Sequence, residues 1–123
     1  MRRFLILEDE PFVAMDLQMA FEAAGHAAET APDCDHAIEL IEQQNFCGAI
    51  LDVNLGGGET CEQAAAELNA RSTPFILHTG DLNRAGELLR SFGVKIVEKP
   101  TEADKVIETL LSIIDKKIPK PCT

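Results

Sequence analysis

The chain has 123 residues, of which 46% are hydrophobic, and its 21 acidic and 11 basic residues give a net charge of −10. This length and composition fit one globular domain and exclude an intrinsically disordered chain. The acidic balance, without a cluster of lysines and arginines, argues against nucleic-acid and anionic-membrane partners. No apolar stretch reaches membrane-spanning length and no signal peptide is visible, so we expect a cytoplasmic protein.

The four cysteines, Cys34, Cys47, Cys61 and Cys122, show no C-x-x-C spacing. Their pattern favours reduced thiols, with Cys47 filling the core on the central strand. Disulfides or a zinc site remain the alternative for these residues.

Short apolar runs alternate with segments of helical periodicity along the whole chain. This alternation predicts repeated βα units and a parallel sheet. The runs that we interpret as strands are residues 4–7, 27–30, 46–51, 74–78 and 94–97.

A helix-like segment follows each predicted strand. Pro11 suits the first turn of the first helix, and Gly25 ends it. Asp33 or Asp35 can cap the second helix, and Thr101 with Asp104 resembles a capping box at the start of the last one. The third helix is expected to bury Cys61, Ala64, Ala65 and Leu68, and the fourth to bury Leu82, Ala85, Leu88, Leu89 and Phe92.

Charged residues stand where three of the predicted strands stop. Glu8 and Asp9 follow the first strand, Asp52 follows the third, and Lys99-Pro100 follows the fifth. The carboxyl ends of parallel strands share one edge of a sheet, which is where open α/β sheets bind their ligands. Clustered carboxylates repel one another unless a divalent cation or a proton joins them, so the pattern predicts a metal site.

The chain resembles a response-regulator receiver domain in three motifs: these acids, the Thr79-Gly80 pair after the fourth strand, and the Lys-Pro pair after the fifth. The resemblance covers nearly the whole chain. It implies the flavodoxin-like α/β receiver fold, with a five-stranded parallel sheet of order 2-1-3-4-5 and helices on both faces. We expect the domain to span residues 1–118 and residues 119–123 to form a flexible C-terminal tail.

The resemblance also implies a role for each matching residue. Asp52, Thr79 and Lys99 correspond to the catalytic set, with Asp52 as the phosphoacceptor. Thr79 corresponds to the switch hydroxyl, and Ile96 occupies the position of the usual aromatic switch residue. The implied Mg²⁺ ligands are Glu8, Asp9, Asp52 and the backbone carbonyl of Asn54. The implied contacts to the phosphoryl group are Thr79, Gly80 and Lys99. Asn54 and Asp81 occupy positions that tune dephosphorylation in the family.

The implied function is that of a single-domain response regulator. Asp52 would accept a phosphoryl group from a phosphohistidine on a sensor histidine kinase or a phosphotransfer protein, with Mg²⁺ as cofactor. Self-phosphorylation and self-dephosphorylation would be its only chemistry. The signal would pass to an unknown downstream protein or through a homodimer, and no nucleic-acid or membrane partner is expected.

Two alternatives compete with this interpretation. The first is a receiver-like scaffold that works without phosphorylation. It is suggested by Ile96, which stands where relatives carry an aromatic residue, and by the slightly short segment between Thr79 and Lys99. A magnesium phosphohydrolase could use Asp52 and Asn54 as an Asp-x-Asp-like motif, although that motif usually follows the first strand. Acetyl phosphate labelling would separate the switch from the scaffold.

The fourth strand partly resembles the Pro-Phe-x-Phe-Ala-Thr-Gly motif of stand-alone alphaproteobacterial receivers. It has Leu77 and His78 where that motif has Phe and Ala. His26, His36 and His78 are most simply surface or packed histidines. Because strand side chains alternate, His78 is expected on the face opposite Thr79.

Overall fold

The structure is a computed structural model that describes residues 2–117. The predicted tail, residues 119–123, lies outside the described residues, as do Met1 and residue 118 of the predicted domain. Strands and helices alternate in the order β1 (Arg3–Leu7), α1 (Pro11–Ala23), β2 (Ala27–Ala31), α2 (Cys34–Gln43), β3 (Gly48–Leu51), α3 (Glu62–Ala70), β4 (Phe75–Thr79), α4 (Leu82–Phe92), β5 (Ile96–Glu98) and α5 (Ala103–Lys117).

The five strands form one parallel sheet in the order β2-β1-β3-β4-β5, which confirms the predicted fold. The inner strands are mostly apolar because helices cover both faces of the sheet, and their polar residues are Arg3 in β1 and His78 and Thr79 in β4. Leu7 pairs with Leu51, and Leu51 pairs with Leu77. This register brings the carboxyl ends of β1, β3 and β4 side by side.

Alternating side chains divide the core into two layers. Leu5, Leu51 and Leu77 point to one face and pack with α2, α3 and α4. Phe4 and Ile50 point to the other face and pack with α1 and α5. The sheet is therefore held in place from both sides, and its carboxyl edge has a rigid support.

Local sequence signals explain most of the helix boundaries. Pro11 is the first residue of α1, and Gly25 follows that helix with a φ of +89°, a conformation that favours glycine. The Asp33 carboxylate caps α2 by accepting from the His36 N–H at 2.9 Å. The capping box predicted for α5 is wrong, because the helix begins at Ala103 and the Thr101 hydroxyl donates to the Glu98 carbonyl.

Two further predictions need correction. Leu82 is 49% exposed, because it is the first residue of α4, beyond the end of β4 at Thr79, and lies outside the core. Cys47 is disulfide-bonded, so the expectation of reduced thiols is wrong at this residue, while Cys34 and Cys61 are free and buried. Spacing along the chain does not show which thiols meet in three dimensions.

Within residues 2–117, no helix combines the length and the apolar character that a bilayer crossing requires.

Candidate functional site

The predicted site residues meet at the carboxyl edge of the sheet. Glu8 follows β1 and Asp52 follows β3, and the Asp52 N–H donates to the Leu7 carbonyl at 2.8 Å, which fixes the two acids as neighbours. Thr79 ends β4, and its carbonyl accepts from the Lys99 N–H at 2.9 Å. The Lys99–Pro100 peptide bond is cis.

Glu8, Asp9 and Asp52 form an acidic cluster. Each offers a carboxylate oxygen, and these oxygens lie within 4.8 Å of one another. Among the described residues, this is the one group of three or more acidic, histidine or cysteine side chains placed to hold a metal ion. Glu8 is 3% and Asp52 6% exposed, while Asp9 is more open to solvent. Clustered carboxylate oxygens are the ligands that Mg²⁺ prefers, so this donor set fits the predicted ion.

Lys99 bridges the two buried acids. Its Nζ lies 2.8 Å from Glu8 Oε1 and 3.2 Å from Asp52 Oδ2. Glu8 Oε2 accepts from the Glu10 N–H at 3.1 Å. The ammonium therefore supplies one positive charge to two carboxylates, which leaves the cluster with an excess of negative charge.

Burial shifts the acid–base equilibria of this site. Desolvation raises the pKa of Glu8 from 4.5 to about 7, against the lowering effect of its hydrogen bond from Lys99. Desolvation also raises the pKa of Asp52. Burial lowers the pKa of Lys99, but the hydrogen bond to Glu8 and the charge of Asp52 outweigh it and leave that pKa above its usual value. The ion-free site therefore tends to hold one proton on its acids beside a charged Lys99.

A hydrogen-bonded chain crosses the mouth of the site. The Asn54 Nδ2 donates to Asp81 Oδ2 at 3.0 Å, and the Asp81 N–H donates to Thr79 Oγ1 at 3.0 Å. The Asn54 N–H also donates to Asp52 Oδ1 at 3.3 Å. These bonds join the loop after β3 to the loop after β4, and they connect both predicted dephosphorylation residues.

The loop after β3 is held on both sides of Asn54. The Val53 carbonyl accepts from the Cys61 N–H at 3.2 Å, and the Leu55 N–H donates to the Glu59 carbonyl at 3.0 Å. Gly56, with a φ of +84°, brings the loop close to Asp9, since a Cβ there would lie 3.6 Å from Asp9 Oδ2. The conformation that glycine allows therefore shapes the outer wall of the acidic cluster.

Gly80 and Ile96 occupy the remaining predicted positions. Gly80 directly follows β4, and a Cβ there would meet nothing within 4 Å, so its backbone is open to an incoming group. Ile96 begins β5, pairs with Leu77 and packs half-buried against the core layer of α2, α3 and α4.

Three features of the site escaped the sequence interpretation. The Asn54–Asp81 bond joins residues 27 positions apart and has no sequence signal. The Glu8–Lys99 ion pair could have been anticipated, since both residues were expected at the same edge. His78 is packed on the face opposite Thr79, as expected, but it also lines a cavity between α1 and the loop after β5.

Comparisons with known proteins identify the family of this chain. Residues 4–111 match the response regulator receiver domain family. The transcriptional regulatory protein TcrA of Mycobacterium tuberculosis is 32% identical over 78 residues, which cover 63% of this chain and 31% of TcrA. The matched region thus spans about a third of that curated relative.

Solved receiver structures share the fold. A CheY-like receiver domain protein from Methanospirillum hungatei has a TM-score of 0.83 at 22% identity, covering 94% of this chain and 95% of its own. A response regulator receiver protein from Burkholderia phymatum has a TM-score of 0.81 at 19% identity, covering 98% of this chain and 100% of its own. The chain therefore belongs to the response regulator receiver domain family, whose members bind Mg²⁺ at an acidic pocket and interact with histidine kinases or phosphotransfer proteins.

Proposed function

We propose that this chain accepts a phosphoryl group on Asp52 from a phosphohistidine donor in the presence of Mg²⁺, and that it signals by changing its affinity for another protein. The observation that carries this proposal is the buried Asp52 carboxylate, which lies 3.2 Å from the Lys99 ammonium and within an acidic cluster that suits a divalent cation. We further propose that residues 1–118 act as one receiver unit in the cytoplasm.

The proposed transfer uses Asp52 as the nucleophile. A carboxylate oxygen attacks the phosphorus, the phosphorus–nitrogen bond of the donor breaks, and the released imidazole takes up a proton. Mg²⁺ bound by Glu8, Asp9, Asp52 and the Asn54 carbonyl would offset the repulsion between the carboxylate and the phosphoryl oxygens. Lys99 supplies a second positive charge, and the Thr79 hydroxyl and Gly80 N–H donate hydrogen bonds.

The switch is proposed to start at Thr79. In the unphosphorylated structure its hydroxyl oxygen accepts from the Asp81 N–H. An acyl phosphate adds about 1.5 to 2 negative charges and three acceptor oxygens, which would draw the Thr79 hydroxyl toward Asp52 and shift the loop before α4. Ile96 is smaller than the aromatic residue usual at its position, so we assign most of this switch to Thr79.

Phosphorylation is tested by incubating the protein with acetyl phosphate and Mg²⁺ and then measuring its intact mass. We expect one phosphate adduct on the wild type, none on Asp52→Asn, and a strongly reduced yield for Asp9→Asn. Asp104→Asn, which removes an acid in the first turn of α5, is the matched control and should label normally. An adduct that persists in Asp52→Asn would contradict the assignment of the acceptor.

Magnesium binding has its own readout. Mg²⁺ should raise the midpoint of thermal unfolding of the wild type, with about 2.7 kcal/mol available at a hundredfold excess over the dissociation constant. The gain should disappear in Asp9→Asn and persist in Asp104→Asn.

We also propose that Asn54 and Asp81 control water access to the acyl phosphate, because their side chains bond to each other across the site. Asn54→Ala and Asp81→Ala should each change the lifetime of the phosphate adduct, measured by mass over time. If both lifetimes equal that of the wild type, the two residues have no such role.

The second candidate is a receiver-like scaffold that works without phosphorylation, and the observation that favours it is Ile96 at the aromatic switch position. Pull-downs with the phosphorylated protein and with Asp52→Asn separate the two functions. Partners that bind only one form support the switch. Identical partners, together with no phosphate adduct, support the scaffold.

A further inference from the structure

A cavity of about 340 Å³ lies between α1, the end of β4 and the loop that leads from Lys99 into α5. We call it the His78 cavity, after the residue at its base. Lys99 lines both this cavity and the acidic cluster, whereas Glu8, Asp9 and Asp52 do not line the cavity. It is therefore a separate compartment beside the acidic cluster.

His78 is a buried polar group that lacks a hydrogen-bond partner among residues 2–117. The residue is only 4% exposed, and neither ring nitrogen, Nδ1 or Nε2, has a hydrogen-bond partner within the described chain. Burial, helped by the positive charge of Lys99, lowers the pKa of His78 to about 4, so the ring is neutral at physiological pH. A neutral imidazole offers one donor and one acceptor, and leaving both unsatisfied in the interior is unfavourable.

The walls and the rim of the cavity differ in character. Val13, Leu17, Pro100 and Ala103 contribute apolar surface to the lining. Three exposed carboxylates also line the cavity, at its solvent side, and belong to Glu10, Asp16 and Glu102.

Lys99 is the one basic residue of the lining, and its ammonium already lies between Glu8 and Asp52. The carboxylates of the rim therefore lack a nearby counter-charge within the lining, and the entrance carries a negative potential.

An unpartnered buried ring, apolar walls and an acidic rim together disfavour several classes of ligand. An anion would be repelled by the three carboxylates, and a wholly apolar molecule would leave both His78 nitrogens unsatisfied. A metal ion does not fit, because the one metal-like cluster of the described residues is that of Glu8, Asp9 and Asp52. A neutral donor would satisfy His78 but would gain nothing from the three carboxylates. The lining therefore favours a molecule with a positive charge, an N–H donor and a short apolar stem.

We propose that the His78 cavity binds a small organic cation, an alkylammonium or guanidinium group, whose N–H donates to the His78 ring and whose charge is offset by Glu10, Asp16 and Glu102. The apolar walls then contact the carbon stem. The same chemistry is offered by a free amine and by a lysine or arginine side chain of a docked protein. This proposal does not rest on phosphorylation of Asp52.

Binding is tested by NMR on the whole chain, with three ligands of similar shape: n-butylammonium, butanol and butyrate. At constant ionic strength, n-butylammonium should shift the His78 ring and the amides of Thr101 and Ala103 with a saturable curve. Butanol should bind at least tenfold more weakly, and butyrate should not bind. An equal response to all three, or no saturable response to n-butylammonium, overturns the proposal.

Variants locate the contacts. His78→Phe keeps a buried ring but removes both nitrogens, and it should weaken n-butylammonium binding at least tenfold, followed through the Thr101 and Ala103 amides. Asp16→Asn and Glu102→Gln should each weaken binding about two- to fivefold, as expected for exposed charge pairs. Glu22→Gln removes one charge from the other end of α1 and is the matched control.

If Glu22→Gln weakens binding as much as Asp16→Asn, the cation responds only to net charge and the site is refuted. Should His78→Phe fail to fold, which a thermal melt would show, the comparison of Asp16→Asn and Glu102→Gln with Glu22→Gln still decides the question. Unchanged binding in a folded His78→Phe also refutes the proposal.

The source of the cation is distinguished with lysine and arginine that are acetylated and amidated at their backbone ends. Binding comparable to that of n-butylammonium indicates that a partner's side chain reaches His78. Binding of n-butylammonium alone indicates a free amine. If none of the three cations binds, the site is refuted.

Discussion

The acidic cluster and the His78 cavity lie on either side of Lys99 and differ in how their buried polar groups are satisfied. In the cluster, Glu8 and Asp52 both accept from the Lys99 ammonium, and each also accepts from a backbone N–H of its own. In the cavity, His78 has no hydrogen-bond partner among the described residues. The comparison shows that one sheet edge can hold two buried carboxylates bridged by an ammonium and, next to them, a buried ring without a hydrogen-bond partner among the described residues.

The two regions also respond to pH in opposite directions. Burial raises the pKa of Glu8 to about 7 and lowers the pKa of His78 to about 4. In both cases the folded protein favours the uncharged form. Acidification therefore favours the fold through Glu8 and disfavours it through His78.

The largest expected effect comes from removing the ammonium that separates the two regions. Lys99→Ala leaves Glu8 and Asp52 buried together without a counter-charge, and we expect a loss of roughly 3 kcal/mol of unfolding free energy at pH 8 without Mg²⁺. Urea denaturation measures this loss of unfolding free energy. Lys95→Ala, at an exposed lysine, should change stability by no more than about 0.5 kcal/mol. Equal losses in the two variants would show that the bridge contributes nothing.

The pH dependence of the acidic cluster is the next effect in size. The folded-state pKa of Glu8, about 7, lies above its ordinary value of 4.5, so its contribution to stability is complete below pH 4.5 and is lost as pH rises through 7. The upper limit of this loss is about 3.5 kcal/mol, since one pKa unit corresponds to about 1.4 kcal/mol.

Chemical denaturation of the ion-free protein between pH 4.5 and 8 should therefore show a decline that Glu8→Gln removes. A decline of the same size in Glu8→Gln would assign it to another group.

The His78 cavity predicts a smaller effect. His78→Phe should raise the unfolding free energy by about 1 kcal/mol at pH 7 in the absence of an organic cation, because two unsatisfied buried nitrogens are removed. The wild type loses the His78 contribution as pH falls from 6.5 through 4, so the advantage of the variant should grow toward pH 5. Denaturation at pH 7 and pH 5 tests both statements.

The double variant Glu8→Gln/His78→Phe should lack both pH slopes. If its profile still matches that of the wild type, the assignment of these slopes to Glu8 and His78 is wrong.

The smallest expected effect concerns the hydrogen bond across the mouth of the acidic cluster. In a double-mutant cycle of Asn54→Ala and Asp81→Ala, we expect a coupling energy of about 0.5 to 1 kcal/mol, the usual net contribution of such a bond. Additive losses would show that the 3.0 Å contact contributes nothing to stability.

The sequence by itself determined the fold and the place of the site. Apolar runs of strand length, alternating with helical periods, predicted the parallel sheet, and the acids at the ends of those runs predicted the cluster at its carboxyl edge. Glu8, Asp52 and Lys99 met there as expected because parallel strands in register bring their ends together. Periodicity and strand ends are local properties that a sequence shows directly.

The tertiary structure alone decided which groups touch. Leu82 follows the helical period but lies beyond the end of β4, so the core does not reach it. Asn54 meets Asp81 through two loops. His78 has no hydrogen-bond partner in the described part of the chain because α1 and the loop after β5 leave a cavity over it. These outcomes depend on strand register, loop path and helix placement, and such long-range packing has no counterpart in the local pattern of residues.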